Sequence, residues 1–276
     1  MNLIEWQTHR IFATHTSHHP RALALLVAFL LALLPAPARA AEPFDQTHAR
    51  FARVLAAVVK DALVDYKKLK ADPTELDAYL QAVASVPAAE FARWSEADRL
   101  ALLLNLYNAQ TLRLIVNHYP VKSIRSIGLL PGAAWSELNV RFGGQILTLD
   151  HLEHKIIRVD YREPRIHFAV VCAALGCPPL RGEPFMGARL NEQLDDQTRQ
   201  FLATPAKNRF DAAKNTLHLS PIFKWYAGDF TQPAGSLARY VKPFLPEAQR
   251  AALTDPDKVK VKFTDYDWAL NVPPKK

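Results

Sequence analysis

The sequence predicts an α+β fold, a mainly helical single domain with a small β-sheet. Two observations carry this. Apolar residues recur at helical spacing through the first half of the chain, and beyond about residue 140 the period changes to short, β-rich runs set between Gly and Pro. Phe44, Phe51, Val54, Leu55, Val58 and Val59 lie on one helical face, and Leu76 to Val83 gives a second, short helix. Ser95 and Asp98 form a capping pattern ahead of a long apolar stretch that ends at Tyr119, before Pro120. Val140 to Leu147 places Gly143-Gly144 between two apolar runs, which reads as a β-hairpin. A helix over Leu149 to Val159 follows, then the run Ile166 to Cys172, short and nearly all apolar, as for a strand buried on both faces. Leu190 to Leu202 and Leu237 to Phe244 read as helices, and Leu217 to Leu219 and Val259 to Phe263 as strands.

The N-terminal region has the order of a secretion signal. Arg10 and Arg21 precede an apolar run of 13 residues, Ala22 to Leu34, and Pro35 and the small-residue pattern Ala38-Arg39-Ala40 follow. A bilayer needs roughly 20 apolar residues, so the run suits a signal h-region, although an uncleaved anchor remains the alternative. Residues 1–40 are therefore read as a signal peptide and 41–276 as one globular domain, periplasmic or secreted after cleavage near Ala40. No internal repeat or long linker divides that domain, which is long enough to bury a full core and is expected to be monomeric.

Charge excludes one class of partner. The 34 basic and 27 acidic side chains give +7, and loss of three Arg and one Glu with the signal leaves +5. The basic residues are dispersed among acids without a run of five, so no nucleic-acid footprint is present. A mild positive excess suits an anionic envelope polymer or peptide, and solubility explains it equally.

Polar residues stand where apolar ones belong. Leu104, Asn108, Thr111 and Ile115 share one helical face, which puts Asn108 inside a buried stripe. Leu149, Leu152, Glu153, Ile156 and Ile157 do the same for Glu153; His154 lies at the margin of that stripe, and His167 interrupts an apolar run. Buried amides and carboxylates must find partners. One arrangement lets Asn108, Glu153, His154 and His167 meet in a single network, either architectural or catalytic. Cys172 and Cys177 close the series: Pro178-Pro179 forces a turn that could present Cys177 as a nucleophile, against which stand a Cys172–Cys177 disulfide or two inert thiols. As a strand, the run 166–172 would give Cys172 the parity of Phe168 and turn His167 the other way. His151 and His154 are three apart and do not match the four-residue spacing of zinc-protease helices, so neither metal nor cofactor is expected. His48, His118 and His218 read as surface or capping residues, and Trp225, Tyr226 and Phe230 as core or as the lining of a ligand groove.

Several segments together resemble a bacterial and plant family known as domain of unknown function 547. They are Val64-Asp65-Tyr66, Leu104 to Ala109, His118 to Ile124, Leu152-Glu153-His154, Arg165 to Ala169, Cys177 to Leu180 and Ile222 to Tyr226, spread over residues 64–230. Asn108, Glu153, His154 and His167 all fall inside them. The chain departs from the family pattern at Ala174 and Gly176, where Ser is usual, and at His151, where Asp is usual. The order of a long buried helix and then a His-bearing strand is faintly similar to papain-like and transglutaminase-like folds, whose nucleophile sits at a helix start that here lacks Cys. In an enzyme, thiol-dependent hydrolysis or acyl transfer on an envelope peptide or polymer would use Cys177 as nucleophile and His167 or His154 as base. Glu153 would orient the imidazole and Asn108 would donate to an oxyanion. The alternative is a non-catalytic binding module with a Cys172–Cys177 disulfide and a structural polar network. Export predicts that N-terminal sequencing of the mature protein reads Ala41-Glu42-Pro43-Phe44; an intact N-terminus in the membrane fraction would show an anchor instead.

Overall fold

The chain is built around one helix that touches water almost nowhere along its middle. The structure, a computed structural model, describes residues 43–130 and 132–274; the signal segment lies outside them. The described residues from Phe44 on form one compact unit, mostly helical, with three small sheets among them. Helices α1 (Ala49–Val58), α2 (Tyr66–Ala71) and α3 (Thr74–Ala84) surround α4 (Glu96–His118), and the ribbon β1 (Val59–Lys60) and β2 (Leu63–Val64) joins α1 to α2. Ser95 caps α4 by accepting the Asp98 N–H, and its hydroxyl bonds the Asp98 carboxylate at 2.6 Å. Every residue of α4 from Leu100 to Leu112 is buried, Asn105 and Asn108 included. Buried amides need partners, and for Asn105 and Asn108 the neighbouring chain supplies them.

Beyond α4, β3 (Val140–Phe142) and β4 (Gln145–Leu147) form the expected hairpin, with Gly143 and Gly144 at positive φ in its turn. Helix α5 (149–161) starts at Thr148, whose hydroxyl accepts the His151 N–H, and widens into a π-helical stretch over Leu152–Ile157, where Arg158 N–H reaches back to the Glu153 carbonyl. The run expected as a strand is instead a single helical turn, α6 (Ile166–Ala169), that leaves in extended conformation at Val170. Pro164 suits a first helical turn, and the N–H groups of Ile166, His167 and Phe168 bond the carbonyls of Glu163, Pro164 and Arg165. Burial on both faces does not distinguish this turn from a strand. Ile166 and Ala169 join the core around α4, while Phe168 joins a second core. The strand parity assigned to His167 and Cys172 falls with the strand, and so does the His-bearing strand on which the papain-like analogy rested.

The second core packs α7 (Leu190–Leu202), α8 (Ile222–Trp225) and α9 (Ala227–Ala234) on a three-stranded sheet. In it β5 (Arg209–Asp211) lies antiparallel to β6 (Thr216–Leu219), and β6 lies parallel to β7 (Lys260–Phe263). His48, read from sequence as a surface or capping residue, is buried and bonds Tyr79 at 2.9 Å, and burial pushes its pKa down to about 4.

Two asparagines of α4 tie irregular chain to this frame. Asn105 donates to the Phe185 carbonyl at 2.7 Å and accepts from Phe185 N–H at 2.9 Å. Asn108 donates to the Ala169 carbonyl and accepts from Val171 N–H, both at 2.9 Å. Truncating Asn108 strands two buried backbone groups at ~1–3 kcal/mol each. Urea denaturation of Asn108→Ala is therefore expected to show a loss of about 3 kcal/mol, whereas a loss below roughly 0.5 kcal/mol, typical of surface changes, would show that the clamp is idle.

Candidate functional site

A cavity of about 470 Å³ opens between the two cores, lined by side chains from α4, α5, α6, the turn after it, α8 and the C-terminal segment. Glu153 lies at its wall and is buried, 6 % exposed, as its stripe position predicts. Its Oε1 accepts from the Tyr226 hydroxyl at 2.9 Å, and Tyr107 lies near enough to feel the carboxylate charge. Burial first, and then the Glu153 charge, push the hydroxyls of Tyr107 and Tyr226 far above the usual tyrosine range, so both remain donors.

His167 is 2 % exposed and lines the same cavity. Its ring stacks on Tyr226 with centroids 3.9 Å apart, and Phe230 closes on it edge-on at 5.4 Å. Nε2 meets Asp229 Oδ2 at 2.7 Å. Asp229 also takes a two-pronged bond from Arg158, Nε to Oδ2 and Nη2 to Oδ1, each 2.9 Å. The His167 hydrogen bond and then Arg158 hold the Asp229 carboxyl well below the usual carboxylate range, while burial pushes the His167 imidazole down. A carboxylate can only accept, so Nε2 carries the proton and the lone pair of a neutral imidazole is on Nδ1, which is buried without a partner. His154 sits beside this pair: Arg158 Nη1 donates to its Nδ1 at 3.2 Å, and its Nε2 faces Asp150 at 3.6 Å.

Of the residues named from sequence, Glu153, His154, His167 and Cys177 line one cavity. Asn108 is not among the lining residues; its amide oxygen and one of its two N–H donors bond the backbone at Val171 and Ala169. Cys172 and Cys177 are joined as a disulfide on the cavity wall. In this state Cys177 has no thiol, and its sulfur accepts from the Cys172 N–H at 3.1 Å and lies 3.1 Å from the Tyr266 hydroxyl. Behind it Lys207 donates to the Cys177 carbonyl, and burial lowers the Lys207 pKa to about 8. Trp225 and Tyr226 line the cavity, while Phe230 is core. Asp229, Arg158, Tyr107, Trp135, Tyr266 and Trp268 were not found from sequence. Asp229 is 62 residues from His167, within a short helix that carries no motif. The described residues hold no cluster of His, Cys, Asp and Glu able to bind a metal, and no helix among them is long and apolar enough to cross a membrane.

The family model described as "Protein of unknown function, DUF547" matches residues 91–202 and supports the family assignment read from the sequence segments. The matched span runs through α4 to α7 and includes Asn108, Glu153, His154, His167 and Cys177, whereas Tyr226 and Asp229 lie beyond it. No curated protein and no solved structure matches the chain.

The pair also sets a pH dependence. The folded pKa of His167 lies below its ordinary 6.5, so the unfolded chain binds the proton more readily and the stability His167 contributes is complete above that value and lost as pH falls through and below it. His48 acts in the same direction, and Asp229 adds a further loss below its ordinary 3.8. Urea midpoints measured at pH 7.5 and pH 5 are expected to fall in acid, and to fall by less in His167→Gln; an equal fall in the two proteins would contradict the assignment.

Proposed function

We propose that this chain is an exported cell-envelope domain that binds a ligand in the aromatic-walled cavity, with the Cys172–Cys177 disulfide as part of that wall. The observation that carries the reading is the composition of one cavity: rings of Trp135, Trp225, Tyr226, Tyr266 and Trp268 beside Glu153 and the His167–Asp229 pair. A concave, mostly apolar site with a few fixed polar groups is the usual form of a small-ligand pocket. Export is supported by the order of residues 1–40 and by the disulfide, which persists in oxidising compartments. The net positive charge favours approach to anionic envelope material.

A second reading, thiol-dependent hydrolysis or acyl transfer, rests on the position of the cysteine pair. If the bond is reduced, Cys177 becomes a thiol on the cavity wall that also carries His167, His154 and Glu153. The two readings differ in the resting state of the sulfurs. Titration of the mature protein with a thiol reagent under denaturing, non-reducing conditions is expected to find no free thiol, and tryptophan fluorescence of the oxidised protein is expected to change saturably with at least one of three probes: a chitin trisaccharide, a neutral tripeptide or a small organic ammonium ion. Two titratable thiols, one reacting fast at neutral pH, would move the assignment to the enzyme.

A further inference from the structure

The cavity is electrostatically one-sided. The charged side chains that line it are the carboxylates Asp150 and Glu153, and neither Lys nor Arg is among the lining residues; its imidazoles are those of His154 and His167. Glu153, with 8 % of its side chain exposed, is answered by the neutral hydroxyl of Tyr226 and, at 3.9 Å, by His154 Nδ1. That nitrogen already receives the Arg158 N–H. A buried carboxylate without a cation of its own is costly, because hydrogen bonds from neutral groups replace only part of its hydration.

The guanidinium groups stacked on rings of the wall make no ion pair with Glu153, although Arg158 lies near enough to feel its charge. Arg158, 5.0 Å from the Tyr226 ring centroid, has Nε and Nη2 committed to Asp229 and Nη1 to His154. Arg125 lies over Trp268 at 5.1 Å and is not part of the lining.

Around the carboxylates stand aromatic faces. Trp225 and Trp268 stack with centroids 5.9 Å apart, and Tyr266 packs on both at 4.9 and 4.6 Å. Ring faces carry the negative end of the aromatic quadrupole and attract cations, most strongly where water is excluded. A sugar or a neutral peptide would use the rings, but would leave Glu153 without a counter-charge. A cation uses both.

Building on the binding reading above, we infer that the cavity selects a cationic amine, the ammonium group sitting among Trp225, Tyr266 and Trp268 and facing Glu153, with Asp150 at the rim. The amine can be a small quaternary ammonium compound or a lysine side chain on a peptide, and two probes separate these sources.

The test uses the oxidised, mature protein and titrates its tryptophan fluorescence with choline, with its neutral isostere 3,3-dimethylbutan-1-ol, and with N-acetyl-lysine methylamide. Choline or the lysine amide is expected to bind at least tenfold more tightly than the alcohol, the tighter of the two naming the source. Glu153→Gln is expected to abolish that preference. Asp150→Asn, at an exposed position that does not support the core, is expected to reduce it two- to threefold, so the outcome does not hang on one buried substitution. Equal affinity for choline, the lysine amide and the alcohol, or a charge preference unchanged in both variants, would overturn the cation assignment while leaving the cavity as a binding site. Saturation by the chitin trisaccharide or the neutral tripeptide with no response to either amine would do the same. No response to any probe from the folded protein would overturn the binding reading as well.

Discussion

The constraint on which the rest of the structure depends is the hydrogen bonding of backbone that lies against α4 without being helix or sheet. A fully buried helix offers its neighbours no water, so any irregular chain packed on it must find donors and acceptors in protein. Asn105 and Asn108, one turn apart, each present a donor and an acceptor to that chain, one at Phe185 and the other at Ala169 and Val171. A carboxamide imitates the peptide group it replaces, which is why the position needs Asn rather than a hydroxyl or a charge.

The functional region follows from this fixation. Held at Ala169 and Val171, the chain places His167 two residues before the clamp and the cysteine pair just after it, all on the wall of one cavity. His167 is then locked by Asp229 from one side and Tyr226 from the other, and Asp229 by Arg158. The π-helical turn of α5 brings Glu153 to the same wall, where a tyrosine hydroxyl rather than a basic side chain receives it. What distinguishes the two carboxylates is therefore their partner: Asp229 has an arginine and an imidazole, whereas Glu153 has a neutral hydroxyl and an imidazole at 3.9 Å.

Much of this was legible in the sequence, because helical phase is a strong signal. Asn108 and Glu153 stand inside apolar stripes, and both are buried where that phase places them. The ends of α4 and α7 followed from capping and from unbroken periodicity. The turn at α6 was misread because Ile166 to Val171 is buried on every side, and an apolar run of that kind has no period to separate helix from strand. The partners of the polar residues were out of reach for a different reason. Arg158 and Asp229 meet across 71 residues, and Tyr226 reaches Glu153 across 73. Only the docking of the second core on α5 creates those contacts. The cysteine pair could be paired on paper, but spacing alone left a disulfide, two inert thiols and a nucleophilic Cys177 all open.

Native-state hydrogen exchange at the Val171 and Phe185 amides tests the clamp most directly. Neither N–H belongs to a helix or strand ladder, so only the carboxamides of Asn108 and Asn105 protect them. Exchange as slow as that of the α4 amides around Leu104, and slowing in parallel with global stability, is the result expected. Exchange within minutes at Val171 or Phe185, at the rate of an open loop, would mean that the segment carrying His167 and the disulfide is not fixed to α4.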